Sequence, residues 1–306
     1  MKRHVILLIA SILFSVSAQL SAQTPVYLTK AYKPVESDRY TAYSSLEIQG
    51  GDTWNNCFTL GVINNYHGHA TFNIGGKYES ISFILGAEKS NGGNDPNIVQ
   101  IHADGKRIFD HVLRDGDLGQ QFTLNISGVD KLEFSLVKPE VEPAFCEVAL
   151  WTKDQTPHDL RGKNDPEVKT RMLFRDIAPY RMNGSSSDTR SDIGRHTLVG
   201  PDKKNKSIKI GNKEYDYGLW LGMSMQLIGG GESETNFNIR GQYETLSFVV
   251  GPLATDDGND TSRGWVTVKG DNKILYEYEI NEESIAQQVT LDVKGVRKLS
   301  FTSEQA

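Results

Sequence analysis

The chain has little cysteine, little clustered positive charge and no long hydrophobic segment. Cys57 and Cys146 are the only cysteines among 306 residues, and 33 Lys and Arg residues stand against 39 Asp and Glu. Basic residues cluster only within residues 203–206. Nucleic acids and anionic membranes both require clustered positive charge, so this composition disfavours them as partners. The apolar run Val5–Phe14 is about half of the ~20 residues that a membrane-spanning helix needs.

The sequence also lacks the short motifs of common catalytic sites. It contains no nucleophile elbow, no H-E-x-x-H pair and no phosphate-binding loop. Spacing alone does not exclude a glycosidase carboxylate pair. The two repeats described below occupy nearly all of the chain, however, so the sequence predicts a protein that is not an enzyme.

The first 22 residues have the composition of a secretory signal peptide. Lys2 and Arg3 precede the apolar run Val5–Phe14, and small residues follow up to alternative cleavage points after Ala18 or Ala22. A basic start, a short apolar segment and small residues at the exit are typical of such signals. A buried N-terminal strand or helix is the alternative. No cysteine lies at either cleavage point, so we expect a secreted or periplasmic protein with no lipid anchor and no membrane span.

The rest of the chain contains the same sequence pattern twice. Phe72–Gly86 returns as Phe237–Gly251, and Gly128–Phe134 returns as Gly295–Phe301. These segments keep their order and a nearly constant offset, and the period is too long for a solenoid repeat. The pattern therefore predicts a duplicated domain. The predicted boundaries are residues 25–152 for the first copy, 153–170 for a polar linker and 171–306 for the second copy.

Apolar residues within both copies alternate with polar residues, as in strands with one buried face. The alternation is clear in residues 81–85 and, in the second copy, in residues 246–250. Asp104-Gly105 and Gly270-Asp271-Asn272 each lie between two such runs and predict hairpin turns. No stretch has a convincing helical period. The sequence thus predicts an all-β chain of two tandem antiparallel β-sandwiches.

The order of these segments resembles the NPCBM domains, the group behind family 51 carbohydrate-binding modules. The similar segments are Phe58–Gly61, Phe72–Tyr78, Val99–Asp110, Leu124–Phe134 and Glu147–Trp151 in the first copy, and Gly218–Gly222, Phe237–Gly251, Val266–Tyr276 and Leu291–Phe301 in the second. The resemblance implies a galactose-binding-like jelly roll and a carbohydrate-binding function. It also implies frequent attachment to secreted glycoside hydrolases of bacteria.

The chain departs from the family pattern in two places. The family commonly has Gly-Thr-His after its G-L-G strand, whereas this chain has Gly61-Val-Ile-Asn and Gly222-Met-Ser-Met. The second copy has few residues after Phe301, while the first continues from Phe134 to Trp151. We therefore expect the second sandwich to lack its closing strand, either because the sequence is a fragment or because another chain covers the open edge.

Sugars are bound by aromatic faces and by short polar or acidic side chains, which sandwiches usually present on loops. Loop segments rich in such residues occur in both copies, although ordinary surface loops share this composition. The candidate sugar-binding residues are Tyr66, His67, Asn94 and Asp95 in the first copy, and Asp257, Asp260, Arg263 and Trp265 in the second.

Acidic residues of the second copy form a candidate calcium site. Asp256, Asp257 and Asp260 would supply the oxygen ligands that calcium prefers. The resemblance implies that sandwiches of this type frequently carry a structural calcium. An acidic surface turn is the alternative, and no other cofactor is expected.

Cys57 and Cys146 form a candidate disulfide. An exported chain meets an oxidising environment, which permits a bridge between two cysteines. The two residues lie in an early strand and in the last strand predicted for the first copy, and such strands are often neighbours in sandwiches. Two buried thiols packed as small apolar groups are the alternative.

Together these features predict a non-catalytic, exported protein that binds glycans or polysaccharide. Two weak sites on one chain would gain avidity on clustered glycans, by ~10²–10⁴-fold if both engage. Two alternatives remain open. One is a structural module that binds proteins, such as a glycoside hydrolase or a surface protein; the other is the accessory part of a truncated glycoside hydrolase.

Overall fold

The computed structural model shows a protein built almost entirely of antiparallel β-strands. The residues described are 24–63, 66–89, 96–138, 141–159, 170–182, 197–203, 206–221, 233–252, 264–281 and 283–305. Within these ranges the one helix is the four-residue α1 (Leu28–Ala31), and no helical segment qualifies as a membrane span. The predicted signal peptide lies outside the described residues.

The N-terminal sandwich consists of two main sheets. Its strands are β1 (Val26–Tyr27), β2 (Glu36–Asp38), β3 (Tyr40–Glu47), β4 (Thr53–Leu60), β5 (Val62–Ile63), β6 (Tyr66–His67), β7 (His69–Asn73), β8 (Ser80–Ala87), β9 (Asn97–Ala103), β10 (Lys106–Leu113), β11 (Gln120–Asn125), β12 (Lys131–Leu136) and β13 (Pro143–Trp151). One sheet has the order β11-β8-β13-β4-β3, with β1 paired to β13, and the other has the order β10-β9-β12-β7-β2.

The core of this sandwich lies between the two sheets and is dominated by phenylalanine. Phe58 and Phe145 of the first sheet meet Phe134 of the second, with ring centroids 5.2 Å apart in both pairs. All three side chains are fully buried. Large rings in edge-to-face contact bury much apolar area, so this cluster is the main source of stability for the N-terminal sandwich.

The C-terminal sandwich repeats much of this architecture. Its strands are β14 (Arg181–Met182), β15 (Thr197–Val199), β16 (Ile208–Ile210), β17 (Lys213–Tyr215), β18 (Gly218–Trp220), β19 (Ser233–Asn238), β20 (Thr245–Val250), β21 (Gly264–Gly270), β22 (Lys273–Ile280), β23 (Gln287–Asp292) and β24 (Lys298–Gln305). Its five-stranded sheet has the order β14-β19-β24-β21-β22.

The repeated sequence corresponds to a repeated topology. Read from its other end, β22-β21-β24-β19-β14 matches β10-β9-β12-β7-β2 strand by strand. The pairing of β20 with β23 also repeats that of β8 with β11, because Thr245 lies opposite Asp292 as Ser80 lies opposite Asn125. The prediction of two tandem antiparallel β-sandwiches is confirmed.

The remaining sheet of the C-terminal sandwich is divided into short ladders. β20 pairs with β23, β15 with β18, and β16 with β17. In the N-terminal sandwich, β13 lies between β8 and β4 and joins the two halves of the sheet. Among the described residues no strand has the corresponding place between β20 and β18.

The predicted hairpin turns are confirmed. Asp104 and Gly105 connect β9 to β10 and have φ of 48° and 80°. Asp271 and Asn272 connect β21 to β22 and have φ of 47° and 68°. Glycine, asparagine and aspartate tolerate this left-handed conformation better than other residues, which is why the turns could be located from sequence.

A disulfide joins Cys57 of β4 to Cys146 of β13. The adjacent residues Asn56 and Glu147 are buried and have positive φ, 52° and 48°, which is uncommon for residues other than glycine. The Glu147 carboxylate accepts hydrogen bonds from the Asn55 backbone N–H at 3.3 Å and from the Asn56 side-chain amide at 3.2 Å. A buried carboxylate requires such donors. Polar and covalent links therefore hold β4 and β13 together at the same point.

The start of the predicted linker packs against the N-terminal sandwich. The rings of Trp151 and His158 are 5.3 Å apart and nearly perpendicular. The Gln121 side-chain amide donates a hydrogen bond of 2.9 Å to the His158 carbonyl. Residues 153–159 thus extend the first sandwich beyond its last strand.

Candidate functional site

The structure places the side chain of one predicted sugar-binding residue, Trp265. Tyr66 and His67 are described through their backbone, which forms the short strand β6 paired with β5. The other predicted residues lie outside the described part of the chain: Asn94, Asp95, Asp256, Asp257, Asp260 and Arg263. How these side chains lie relative to one another is therefore not described, and they stay predictions.

Trp265 projects from the outer surface of the five-stranded sheet. It is the second residue of β21, so it lies in a strand and not in the loop expected from the sequence. The neighbouring Val266 and the next alternate residue, Val268, are buried in the core. Because side chains alternate along a strand, Trp265 points away from the core, and 42% of its surface is exposed.

Two carboxylates flank Trp265 on the adjacent strands. Trp265 lies directly opposite Glu279 of β22 and Glu304 of β24. Side chains directly opposite each other share one face of a sheet, with Cβ atoms roughly 4.5–5.5 Å apart. The next outward position of β21 is Thr267, opposite Thr302 of β24. We call this surface, formed by Trp265, Thr267, Glu279 and Glu304, the Trp265 face.

The Trp265 face combines an aromatic plane with hydrogen-bond acceptors. An indole offers a large apolar surface for the C–H groups of a ligand. Ionised carboxylates accept hydrogen bonds from hydroxyl groups, and the Thr267 hydroxyl can donate or accept. The groups are held by three hydrogen-bonded strands, so their spacing is set before a ligand arrives. Such a surface suits a ligand that has both an apolar side and several hydroxyl groups.

The opposite end of the same sheet face contacts the N-terminal sandwich. The outward side chains of β24 are buried at Lys298, Ser300 and Thr302 and exposed at Glu304. Beside Lys298, Asn238 donates a hydrogen bond of 3.0 Å to the Gly50 carbonyl. This contact lies about 20 Å from Trp265 when measured along β24 at ~3.4 Å per residue.

Ion pairs reinforce this contact, which we call the junction. The Asp52 carboxylate is buried and lies 2.8 Å from the Arg240 guanidinium. Arg181 lies 2.6 Å from Asp115, which is also largely buried. A buried carboxylate is stable in its charged form only when it is paired. The junction residues are Gly50, Asp52, Asp115 and Gly116 of the N-terminal sandwich and Tyr180, Arg181, Asn238 and Arg240 of the C-terminal sandwich.

The titration of the junction groups reflects their burial. Burial raises the pKa of Asp115, and the nearby Arg181 guanidinium opposes this effect. The pKa of Tyr180 is raised well above its ordinary value, mainly by burial and to a smaller extent by the negative charge of Glu234. The Tyr180 hydroxyl therefore keeps its proton at neutral pH and donates a hydrogen bond of 2.7 Å to the Gly116 carbonyl.

A metal site is not formed by the side chains that the structure describes. Within the described ranges, no group of three or more His, Cys, Asp or Glu residues is arranged to hold a metal ion. The predicted calcium ligands are not among these residues.

The match to a known domain assigns the chain to a family. The sequence profile of the NPCBM/NEW2 domain matches residues 16–154 and 181–306. The chain belongs to the NPCBM/NEW2 domain family. The resemblance found in the sequence is thereby confirmed, and with it the class of carbohydrate-binding modules.

Several solved structures are similar to this NPCBM chain. The tandem CBM51 modules of a family 98 glycoside hydrolase from Streptococcus pneumoniae share 14% identity at a TM-score of 0.36, over 92% of this chain and 94% of that one. A CBM51 from Clostridium perfringens in complex with methyl-galactose shares 13% identity at a TM-score of 0.35, and the match covers 42% of this chain and 99% of that one. A Clostridium perfringens catalytic domain with two CBM51 domains shares 12% identity at a TM-score of 0.35. The match spans 92% of this chain but 36% of that one. No curated protein matches the chain.

The two NPCBM copies differ at the positions of the Trp265 face. In the N-terminal copy the residue corresponding to Trp265 is Ile98, which lies opposite Val112 of β10. The Ile98 carbonyl accepts a hydrogen bond from the backbone N–H of Val137, and Val137 is the counterpart of Glu304. Val112 and Val137 are 39% and 42% exposed. The first copy therefore has three aliphatic side chains where the second has tryptophan and two carboxylates.

Sequence reasoning did not identify Glu279 and Glu304. Both lie in strands, and both are distant in sequence from the acidic residues Asp256, Asp257 and Asp260 that were predicted to bind ligand or calcium. An alignment of the two copies would have identified them. It shows that three positions that are neighbours in the sheet change together, from Ile98, Val112 and Val137 in the first copy to Trp265, Glu279 and Glu304 in the second. Such a coordinated difference is a signal that composition and local motifs do not contain.

The junction should fix the orientation of the two NPCBM copies. We expect Asp52→Asn to weaken the contact by about 2 kcal/mol, because it removes the buried carboxylate that pairs with the Arg240 guanidinium. Small-angle X-ray scattering should then show a larger radius of gyration than for the wild type. Asp110→Asn is the control, since Asp110 is paired with Arg107 on an exposed surface. An unchanged scattering profile for Asp52→Asn would contradict a fixed orientation.

Proposed function

We propose that this protein is a secreted, non-catalytic carbohydrate-binding protein and that the Trp265 face contacts the glycan. One observation carries the proposal. An exposed tryptophan lies between two carboxylates on a sheet surface, in a chain of the NPCBM/NEW2 family. The exposed indole offers a rigid apolar surface with a polar edge, against which the C–H groups of a sugar ring can pack.

The chemistry of the face favours a pyranose with one apolar side. The axial hydroxyl of galactose leaves a continuous patch of C–H groups on the opposite side of the ring, which can lie against the Trp265 indole. The remaining hydroxyls would donate to Glu279 and Glu304. Galactose-type glycans are therefore the ligand class that we propose first.

The loop residues predicted from sequence complete the proposal. Asp257, Asp260 and Arg263 precede Trp265 closely in the chain and would add polar contacts from the loop before β21. A calcium ion held by Asp256, Asp257 and Asp260 would order that loop. In the N-terminal copy, Tyr66, His67, Asn94 and Asp95 would form a second, separate contact. Engagement of both copies on one polymer would raise the affinity by avidity.

Binding to protein is a second candidate function, favoured by one feature of the N-terminal copy. Ile98, Val112 and Val137 place aliphatic side chains side by side on an exposed sheet face. Exposed aliphatic patches are more typical of protein contacts than of sugar contacts. In this proposal the first copy attaches the chain to a glycoside hydrolase or a surface protein, and the second copy binds the glycan.

A glycan array followed by calorimetry tests the proposed function. We expect the wild-type protein to bind galactose-containing glycans and Trp265→Ala to bind them at least tenfold more weakly, a loss of about 1.4 kcal/mol. Ile98→Ala, at the corresponding position of the first copy, is the matched control and should bind like the wild type. Silence of the wild type across galactosides, fucosides and plant polysaccharides would overturn the carbohydrate function. Equal binding by wild type and Trp265→Ala would place the site elsewhere.

A further inference from the structure

The sheet surface around Trp265 carries two further carboxylates. Glu277 of β22 lies opposite Thr267. On the other side of Thr267 lies Thr302 of β24, which in turn lies opposite Glu234 of β19. Side chains directly opposite each other share one side of a sheet, so these residues project from the same surface as Trp265. Four glutamates share this surface: Glu234, Glu277, Glu279 and Glu304.

The positive charges of the same strands lie farther from the indole. In the described strands β19, β21, β22 and β24 the basic residues are Lys269, Lys273 and Lys298. The nearest along a strand is Lys269, four residues from Trp265 on β21, or about 14 Å at ~3.4 Å per residue. The two glutamates opposite Trp265 have Cβ atoms only roughly 4.5–5.5 Å from its own. Negative charge therefore dominates beside the indole.

The four glutamates are a property of the second copy and not of the shared topology. In the same order, their counterparts in the N-terminal copy are His69, Asp110, Val112 and Val137. Of these four residues only Asp110 is acidic, and it lies 3.5 Å from the Arg107 guanidinium. Because both copies form the same five-stranded sheet, formation of the sheet does not require the charges.

Protection of a sheet edge explains only part of this charge. Charged side chains on an edge strand discourage pairing with another chain, and β22 is an edge strand of its sheet. This accounts for Glu277 and Glu279. It does not account for Glu304, which lies on the central strand β24, directly opposite Trp265. Like charges on neighbouring positions of a sheet repel each other, and a positively charged ligand would relieve that repulsion.

We propose that the Trp265 face selects galactose-type amino sugars with a free, positively charged amino group and excludes sugars with carboxylate or sulfate groups. The inference rests on the proposed function, because it names the sugar class that the same face binds. A protonated amine is attracted to an aromatic face, and the indole is the best ring for this contact. It also donates charge-assisted hydrogen bonds to carboxylates, which are stronger than neutral ones. An anionic sugar meets the glutamates as like charges.

Four methyl glycosides with the galactose configuration test the charge selection on the complete protein. They are the neutral galactoside, the galactosaminide with a free amine, its N-acetyl derivative and the anionic galacturonide. In calorimetry at low salt, the galactosaminide should bind at least about fivefold more tightly than the galactoside. The N-acetyl derivative should bind no more tightly than the galactoside, and the galacturonide should bind at least about fivefold more weakly.

A change of pH tests the same point on the wild-type protein, without any substitution. The amino group of the ligand resembles an α-amino group, with a pKa of about 7.7–8.0, so it is charged at about pH 6.5 and neutral at about pH 9.5. The preference for the galactosaminide over the galactoside should therefore be present at the lower pH and lost at the higher pH. A preference that is equal at both values would show that shape, and not charge, is recognised.

A double variant removes the two charges beside the indole. Glu279→Gln with Glu304→Gln keeps a carbonyl acceptor at each position, so galactoside binding should change by less than about twofold, while the preference for the galactosaminide should disappear. The matched control is Glu214→Gln with Glu244→Gln. Glu214 and Glu244 are exposed residues of the same copy, in β17 and just before β20, outside the five-stranded sheet. This control should retain the preference.

The outcomes separate this inference from the proposed function. Equal affinities for the four glycosides, each reduced by Trp265→Ala, would overturn the charge selection and leave the proposed function standing. A galacturonide that binds more tightly than the galactoside, or a preference that survives the double variant, would overturn the charge selection as well. If none of the four glycosides binds, the proposed function fails and this inference fails with it.

Discussion

Phe58→Ala is expected to destabilise the N-terminal sandwich by about 3–5 kcal/mol. Phe58 is fully buried and contacts aromatic rings from both sheets. Its ring centroid lies 4.8 Å from that of Phe145, 5.2 Å from Phe134 and 5.4 Å from Tyr40. Truncation removes these contacts and leaves a cavity that rings fixed in two hydrogen-bonded sheets cannot close. The cost therefore includes the lost burial and the cavity.

Urea denaturation followed by circular dichroism and tryptophan fluorescence measures this effect. A chain of two sandwiches can unfold in two transitions, so the data require a model with one intermediate. Phe58→Ala should lower the midpoint of the N-terminal transition. Val35→Ala, at a site that is 64% exposed, should shift it by no more than about 0.5 kcal/mol. A loss below about 1 kcal/mol for Phe58→Ala would show that the phenylalanine cluster is not the main stabilising element.

Removal of the disulfide by the double change Cys57→Ala and Cys146→Ala is expected to cost the N-terminal sandwich about 4 kcal/mol. The bridge spans a sequence separation of 89 residues, and a closed loop of that size restricts the unfolded chain strongly. It also joins β4 to β13 beside the buried Glu147, so its loss weakens the contact that holds the central strand. Alanine avoids leaving a polar group in the buried site.

The same denaturation experiment, with and without reducing agent, tests the disulfide prediction. The wild type under reducing conditions should approach the stability of the double variant, and the double variant should be insensitive to the reducing agent. The C-terminal transition serves as an internal control, because neither cysteine belongs to that sandwich. If the two proteins are equally stable under oxidising conditions, the bridge does not contribute to stability.

Local features of the fold could be read from the sequence because they depend on neighbouring residues. The alternation in residues 81–85 and 246–250 predicted strands, and Asp104-Gly105 predicted a turn that has positive φ in the structure. The repeat of Phe72–Gly86 as Phe237–Gly251 predicted that one topology occurs twice. Each of these inferences required only residue type and spacing.

The candidate site could be predicted only in part. Trp265 was singled out for its residue type, but it was assigned to a loop and without its neighbours. Glu279 and Glu304 are brought beside it by the pairing of β21 with β22 and β24. Pairing of distant strands depends on register across the whole sheet, and no local pattern around Trp265 contains that information.

The amino-acid sequence by itself determined the all-β class, the duplication and the family, since these follow from periodicity and from residues in a fixed order. Only the tertiary structure decided which copy carries an aromatic face, and how Asp52 and Arg240 connect the two sandwiches. The physical reason is that these properties arise from contacts between residues far apart in the chain. Such contacts exist only after the strands have paired and the sheets have packed.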